Sequence, residues 1–142
     1  MRSLISRPTE QETDLSGFQL FNKLNEEEFG RLNFDKTCSV YKKSTVIYRE
    51  GSRLTGFYCV TRGIVKIFKT GIDGKEQIIR FAKRGEIIAY RSLLSQELAC
   101  TTANVIDEAV LCHVPYQTLL FLIQSNWQFS HHMLQIVCRE LR

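Results

Sequence analysis

Three histidines and five cysteines are the side chains in this sequence best suited to metal, redox or nucleophilic chemistry. Their spacing argues against each use. His131 and His132 are consecutive in a helical pattern, about 100° apart, and cannot chelate one metal side by side. His113 stands alone in a β-rich stretch. A cupin-type metal enzyme, the natural enzymatic rival among small β-barrels, needs two histidines one residue apart, a glutamate and a third histidine on converging strands. The serines have no partnered histidine in their own segment, and neither Gly-x-Ser-x-Gly nor a phosphate loop occurs. Cys38, Cys59, Cys100, Cys112 and Cys138 are odd in number and widely spaced, with no Cys-x-x-Cys pair. A zinc site or disulfide framework would show tighter, even spacing. Several of them sit inside apolar strand patterns, where cysteine behaves as a small hydrophobe. All five are therefore read as reduced and structural, no catalytic or metal set is assigned, and the chain is read as a non-enzyme.

At 142 residues the chain fits one domain able to bury about two-thirds of its unfolded surface. Its net charge of +4 is spread along the sequence, including Lys42-Lys43 and Lys83-Arg84 at strand ends, and reads as a solvated, slightly basic surface. The longest apolar run, Leu119 to Ile123, is far short of the roughly 18 to 20 residues of a membrane span. Met1 to Pro8 has no secretory core, so the expected location is cytoplasmic.

Residues 1–17 read as a flexible arm. Phe18, Phe21, Leu24, Phe29 and Leu32 then fall at helical spacing, and Asn25 with Glu28 makes a capping-box signal, predicting a helix from Glu26 to Leu32. From Ser39 to Val114 come eight short β-branched and aromatic runs: Ser39–Tyr41, Thr45–Tyr48, Gly56–Thr61, Gly63–Thr70, Lys75–Ala82, Glu86–Ala89, Thr101–Ile106 and Ala109–Val114. Glycines punctuate them, and Asp73-Gly74 is a strong hairpin turn. Strands of this length and spacing predict a double-stranded β-helix, a jelly roll or β-roll that hides its edges, so the fold class is mainly β with flanking helices. Pro115 suits a first helical position, Tyr116, Leu119, Leu120 and Ile123 share a face, and Ser125-Asn126 can cap a last helix from Trp127. Arg142 falls in the middle of that pattern, so the sequence is expected to be a piece cut within this helix.

A short helix, a glycine-punctuated roll and two helices, in that order, resemble the effector domain of the Crp/Fnr family of bacterial transcription regulators. The residues carrying the likeness are Ser44 to Gly51, Phe57 to Ile67, the hairpin Asp73-Gly74-Lys75-Glu76, and Phe81 to Ile88 with Gly85-Glu86. The resemblance implies a cyclic-nucleotide-binding-like roll over 18–124 and the start of a dimerisation helix over 125–142. It also implies a helix-turn-helix DNA-binding domain that these residues do not include. Met133, Ile136, Val137 and Leu141 have the 3–4 spacing of a dimer seam; the same residues could pack on their own roll, and for Phe129 and Met133 that packing is the expected one.

In cyclic-nucleotide-binding members a short segment supplies a glycine for close approach, a glutamate on the ribose hydroxyl and an arginine-serine pair on the phosphate. By position Ala89 stands here for the glycine, Tyr90 for the glutamate, and Thr101-Thr102 for the arginine-serine pair, so only the Thr102 hydroxyl survives. A buried phosphate without its cation loses several kcal/mol, so this chain is not expected to bind cyclic AMP. The effector-pocket candidates are Ala89, Tyr90, Arg91, Ser92, Thr101 and Thr102, with Arg91 a substitute cation. An iron–sulfur cluster needs several N-terminal cysteines, and only Cys38 lies near that end. Haem needs only one or two axial ligands, so the sequence leaves it open, with His113, His131, His132 and the cysteines as candidates. The resemblance thus implies a sensor of an unidentified small molecule that shifts its dimerisation helix, touches DNA only through another domain, and acts as a homodimer off the membrane. The alternatives are a cyclic-nucleotide regulatory module of a kinase or channel, which would retain the missing glutamate and arginine, and the cupin-type enzyme.

Overall fold

Two long antiparallel strands organise the chain, whose computed structural model describes residues 7–140. After 3-10 turns at Gln11–Thr13 and Gln19–Phe21 come α1 (Glu26–Asp35), β1 (Thr37–Tyr41), β2 (Val46–Tyr48), β3 (Gly56–Thr70) and β4 (Glu76–Lys83). They are followed by β5 (Ile87–Ile88), α2 (Tyr90–Leu94), β6 (Thr102–Pro115), α3 (Tyr116–Ser125) and α4 (Trp127–Glu140). All strand pairs are antiparallel, in the order β1-β6-β3-β4, with β2 also paired to β6 and β5 to β3. The result is the expected β-roll with flanking helices. Among the described residues, no helix is long and apolar enough to cross a membrane.

The eight expected strands become six because two breaks are bends. Gly56–Thr61 and Gly63–Thr70 form one strand, β3, and the two runs from Thr101 to Val114 form β6. The register shifts between Arg62 and Ile64, where Gly63 has φ +87 and lies so close to β6 that a Cβ would stand 2.4 Å from the Glu108 carbonyl oxygen. Glycine here permits a bulge with close backbone approach and leaves the strand continuous. The Asp73-Gly74 turn joins β3 to β4 as expected, with Gly74 at φ +80.

Local chemistry fixes the helices. Asn25 and Glu28 exchange side-chain and backbone hydrogen bonds at 2.8 and 2.9 Å, completing the capping box. The α1 helix runs to Asp35, past the expected Leu32, because Asp35 is held by Arg31 one turn back and by the Thr118 hydroxyl of α3, each at 2.7 Å. Pro115 is not the first helical residue: it caps α3 with an extended ψ of 152° while still opposite Gly56 in the sheet. Asn126 caps α4 by accepting from the Phe129 N–H at 2.9 Å, and its amide donates to Glu28, tying the start of α4 to α1.

The core has two parts. Inside the roll lie Val60, Val65, Ile67, Ile88, Val105 and Leu111. Between roll and helices lie Leu15, Phe21, Phe57, Leu119, Leu122 and Phe129, with the phenyl rings of Phe21 and Phe129 stacked 6.2 Å apart. The described part of the segment read as a loose arm is anchored: Leu15 is fully buried and Glu12 pairs with Arg62. Residues 1–6 of that segment lie outside the described residues.

The cysteines depart from expectation at one pair. Cys38 and Cys112 stand directly opposite across β1 and β6, and their sulfurs are bonded. Cys59, Cys100 and Cys138 are free, and buried Cys59 faces Cys112 from the other neighbouring strand. Cross-strand register, invisible in spacing along the chain, brings 38 and 112 together.

Candidate effector site

The candidate site grows from the short loop between β5 and β6. Ile87 and Ile88 plug into the core against Cys59 and Tyr58 of β3, which fixes where the chain leaves the sheet. Ala89 then turns it with φ +74, a left-handed conformation that costs a side-chain-bearing residue about 1–2 kcal/mol. Gln96, at the far side of α2, does the same with φ +60. The position the family fills with glycine thus keeps the glycine conformation although it carries a methyl group.

The turn starts α2 and aims its side chains. Tyr90 is buried in the inter-layer core, and its hydroxyl donates to Oε1 of Glu140 in the last turn of α4. Burial, and then the Glu140 carboxylate, push the Tyr90 phenol well above its ordinary range, so it stays a neutral donor. Arg91 is half-exposed, with Nη1 3.9 Å from Glu140 Oε2. From β4, Arg80 donates from Nη2 to the Ile87 carbonyl at 2.7 Å, and its Nε lies 3.8 Å from Glu140 Oε1. Three donors from two elements converge on one carboxylate supplied by a third.

These groups border a cavity walled by Leu54, Ile67 and Ile88, with Tyr48, Thr101 and Cys100 at its other side. Burial pushes the Tyr48 phenol up to about 12, so it too stays protonated. The free volume of this cavity is about 60 Å³, and Arg91, Ser92, Cys100 and Thr101 also border an open groove of about 920 Å³. Tyr90 and Glu140 both line the smaller cavity.

The predicted residues fall into two groups. Ala89, Tyr90, Arg91, Ser92 and Thr101 line the cavity. Thr102 is not among its lining residues, because its hydroxyl turns to accept the Glu50 N–H at 2.9 Å. Ser92, though at the wall, uses its hydroxyl to accept the Cys100 N–H at 3.1 Å, bracing α2 against the following loop. Sequence reasoning missed Arg80, Glu140 and Tyr48. Arg80 had a signal: on β4 it shares a face with buried Ala82 and lies opposite buried Ile67, and an inward arginine needs an anion. A bulge between Ile67 and Phe68 hides that alternation in the sequence. Glu140 is fifty residues from Tyr90 and gave no signal.

The seam and metal candidates are placed as follows. Met133 is buried in the chain's own core, because α4 packs that face on α3 and the 3-10 turn Gln19–Phe21. Ile136 and Val137 are half-buried against the same core, and Leu141 lies outside the described residues. The outward apolar residues of α4 are Trp127 and Leu134. His113 sits edge-on to Tyr58, its Nε2 3.0 Å from the Thr55 hydroxyl; His131 lies beside Trp127, and His132 borders a groove with Phe18 and Ile136. Among the described residues, no three His, Cys, Asp or Glu side chains converge to hold a metal ion.

Comparison with known proteins gives a consistent picture. The family described as "Cyclic nucleotide-binding domain" matches residues 39–126. The transcriptional activator protein FnrA of Stutzerimonas stutzeri is 26% identical over 133 residues, covering 93% of this chain and 54% of that protein. The fumarate and nitrate reduction regulatory protein of Escherichia coli K12 is 22% identical over 120 residues, covering 84% and 48%. The chain thus spans about half the length of the curated relatives it matches. Among solved structures, the sensor domain of the transcriptional regulator DNR from Pseudomonas aeruginosa superimposes with a TM-score of 0.81 at 20% identity, covering 92% of this chain and 87% of that one. The Thermus thermophilus catabolite activator protein gives 0.77 at 24%, covering 87% and 58%.

Proposed function

This chain belongs to the cyclic nucleotide-binding domain family, and from that premise we propose that it is the effector-sensing domain of a Crp/Fnr-type transcription regulator. Its task is to bind a small molecule beside α2 and to report that event through α4. One observation carries the reading: the Tyr90 hydroxyl at the cavity donates to Glu140 in the last turn of α4. Any group that displaces either partner alters what holds the end of that helix.

The mechanism is a population shift. With Phe129 and Met133 buried, the first half of α4 is fixed to α3 and the turn Gln19–Phe21, and the turns after Met133 are anchored chiefly at Ile136, Val137 and Glu140. A ligand moves the balance between two packings only by its difference in affinity for them; about 1.4 kcal/mol of difference changes the ratio tenfold. In the intact regulator the free end of α4 leads to the DNA-reading domain, and a second copy packs on its outward face. That face carries Trp127 and Leu134, so the seam is proposed there, shifted from Met133. DNA is a partner of the intact regulator, which works where the DNA is.

Cyclic AMP is not the proposed effector. Tyr90 replaces the ribose-binding glutamate, and Thr101 offers a hydroxyl in place of a guanidinium. Calorimetry with cyclic AMP is expected to give a dissociation constant weaker than about 10 μM; a tighter one refutes this exclusion. The regulator assignment is tested by gel shift with the intact protein. Tyr90→Phe and Glu140→Gln are expected to change DNA affinity at least threefold without contacting DNA. Unchanged affinity in both overturns the assignment.

A further inference from the structure

We infer that Glu140 stands in for the effector: the site takes a small oxyanion, a carboxylate or a phosphate, whose oxygens replace those of Glu140 on Tyr90, Arg80 and Arg91. The inference rests on the sensor reading above and deepens it by naming the ligand's chemical class and the internal group it competes with.

The geometry around the carboxylate is the first ground. One oxygen faces the Tyr90 hydroxyl and Arg80 Nε, and the other faces Arg91 Nη1. Donors disposed about both oxygens of an acid group suit any compact oxyanion. The second ground is how poorly Glu140 serves the arginines. Its oxygens stand 3.8 and 3.9 Å from the two guanidinium nitrogens, beyond hydrogen-bond reach. Arg91 donates no hydrogen bond to any described residue, and Arg80 donates one, to the Ile87 carbonyl. A free oxyanion can close to about 2.8 Å and form charge-assisted bonds that the helix-tethered carboxylate does not make.

Charge balance is the third ground. Arg80 and Arg91 face Glu140, and Glu86 offsets Arg80 from outside at 3.8 Å. With Glu140 withdrawn, one positive charge is left without a partner beside a cavity whose remaining wall combines apolar side chains with the hydroxyls of Tyr48, Ser92 and Thr101. An anion with a short apolar body fits that wall, from Leu54 and Ile88 to Tyr48. Entry of such a ligand expels Glu140, and with it the last turn of α4.

The test is an amide-resolved NMR titration of the chain with malonate and, separately, inorganic phosphate, at constant ionic strength. Wild-type protein is expected to bind weakly, with shifts at Tyr90, Arg91 and the end of α4. Glu140→Gln removes the competing charge and is expected to tighten binding about tenfold or more; adding Arg80→Gln to it is expected to abolish binding. Tighter binding of malonate assigns a carboxylate, and tighter binding of phosphate assigns a phosphate. Equal affinity in wild type and Glu140→Gln, or binding by neither, overturns the inference. The sensor reading is judged separately, from Glu140→Gln without any anion. If α4 amides still move, coupling of the cavity to the helix stands and only the oxyanion falls; if they do not move, both fall.

Discussion

Single residues decide how tightly this roll can be wound. Gly63 sits where β3 and β6 approach closely, and a methyl group there would meet both the Glu108 carbonyl and the Ala109 Cα, at a φ of +87. Gly63→Ala is expected to destabilise the fold by about 2–4 kcal/mol in urea unfolding. Ala89 is the opposite case, an alanine in a left-handed turn. Ala89→Gly is expected to stabilise by about 0.5–1 kcal/mol, because relief of strain exceeds the added freedom of the unfolded chain. Burial lowers the His113 pKa below its ordinary 6.5, so the unfolded chain binds its proton more readily than the folded one. Its contribution to stability is therefore present above about pH 6.5 and is lost as the pH falls below it. His113→Asn is expected to flatten the fall in urea midpoint over that range. At this scale a family pattern laid on the sequence residue by residue pointed to the loop from Ala89 to Thr101, and five of the six candidates line one cavity. It did not give Arg80 or Glu140, since a bulge masks the first and the second reaches the cavity only through tertiary packing.

Elements were legible where their signals are local. The capping box of α1, the Asp73-Gly74 hairpin and the Asn126 cap of α4 all depend on groups within a few residues, and all form as read. Boundaries failed where a distant contact decided them: Thr118 extends α1 to Asp35, and pairing with Gly56 keeps Pro115 in the sheet. The cysteine reading failed for the same reason, because a cross-strand neighbour is set by register. Peptide mapping without reductant is expected to recover the Cys38 and Cys112 peptides linked. Cys59, Cys100 and Cys138 should be alkylated once the protein is denatured. Recovery of all five cysteines alkylated would contradict the bridge.

At the scale of the molecule, the roll and its helices form two packed layers with the cavity at one end of their boundary. The first two turns of α4 contribute Phe129 and Met133 to the core, while Trp127 and Leu134 on its outward face are exposed. Burial of Met133 follows from a choice between two apolar faces of one amphipathic helix, and periodicity alone does not make that choice. Leu134→Glu is accordingly expected to weaken self-association in sedimentation while leaving the unfolding midpoint within about 0.5 kcal/mol of wild type. The central claim is that the cavity and the end of α4 are one linked unit, joined by Tyr90 and Glu140. Amide hydrogen exchange in Tyr90→Phe tests it most directly. Protection should fall at least threefold in the last turn of α4 and stay unchanged in β3 and β6. Undiminished protection there would contradict the link.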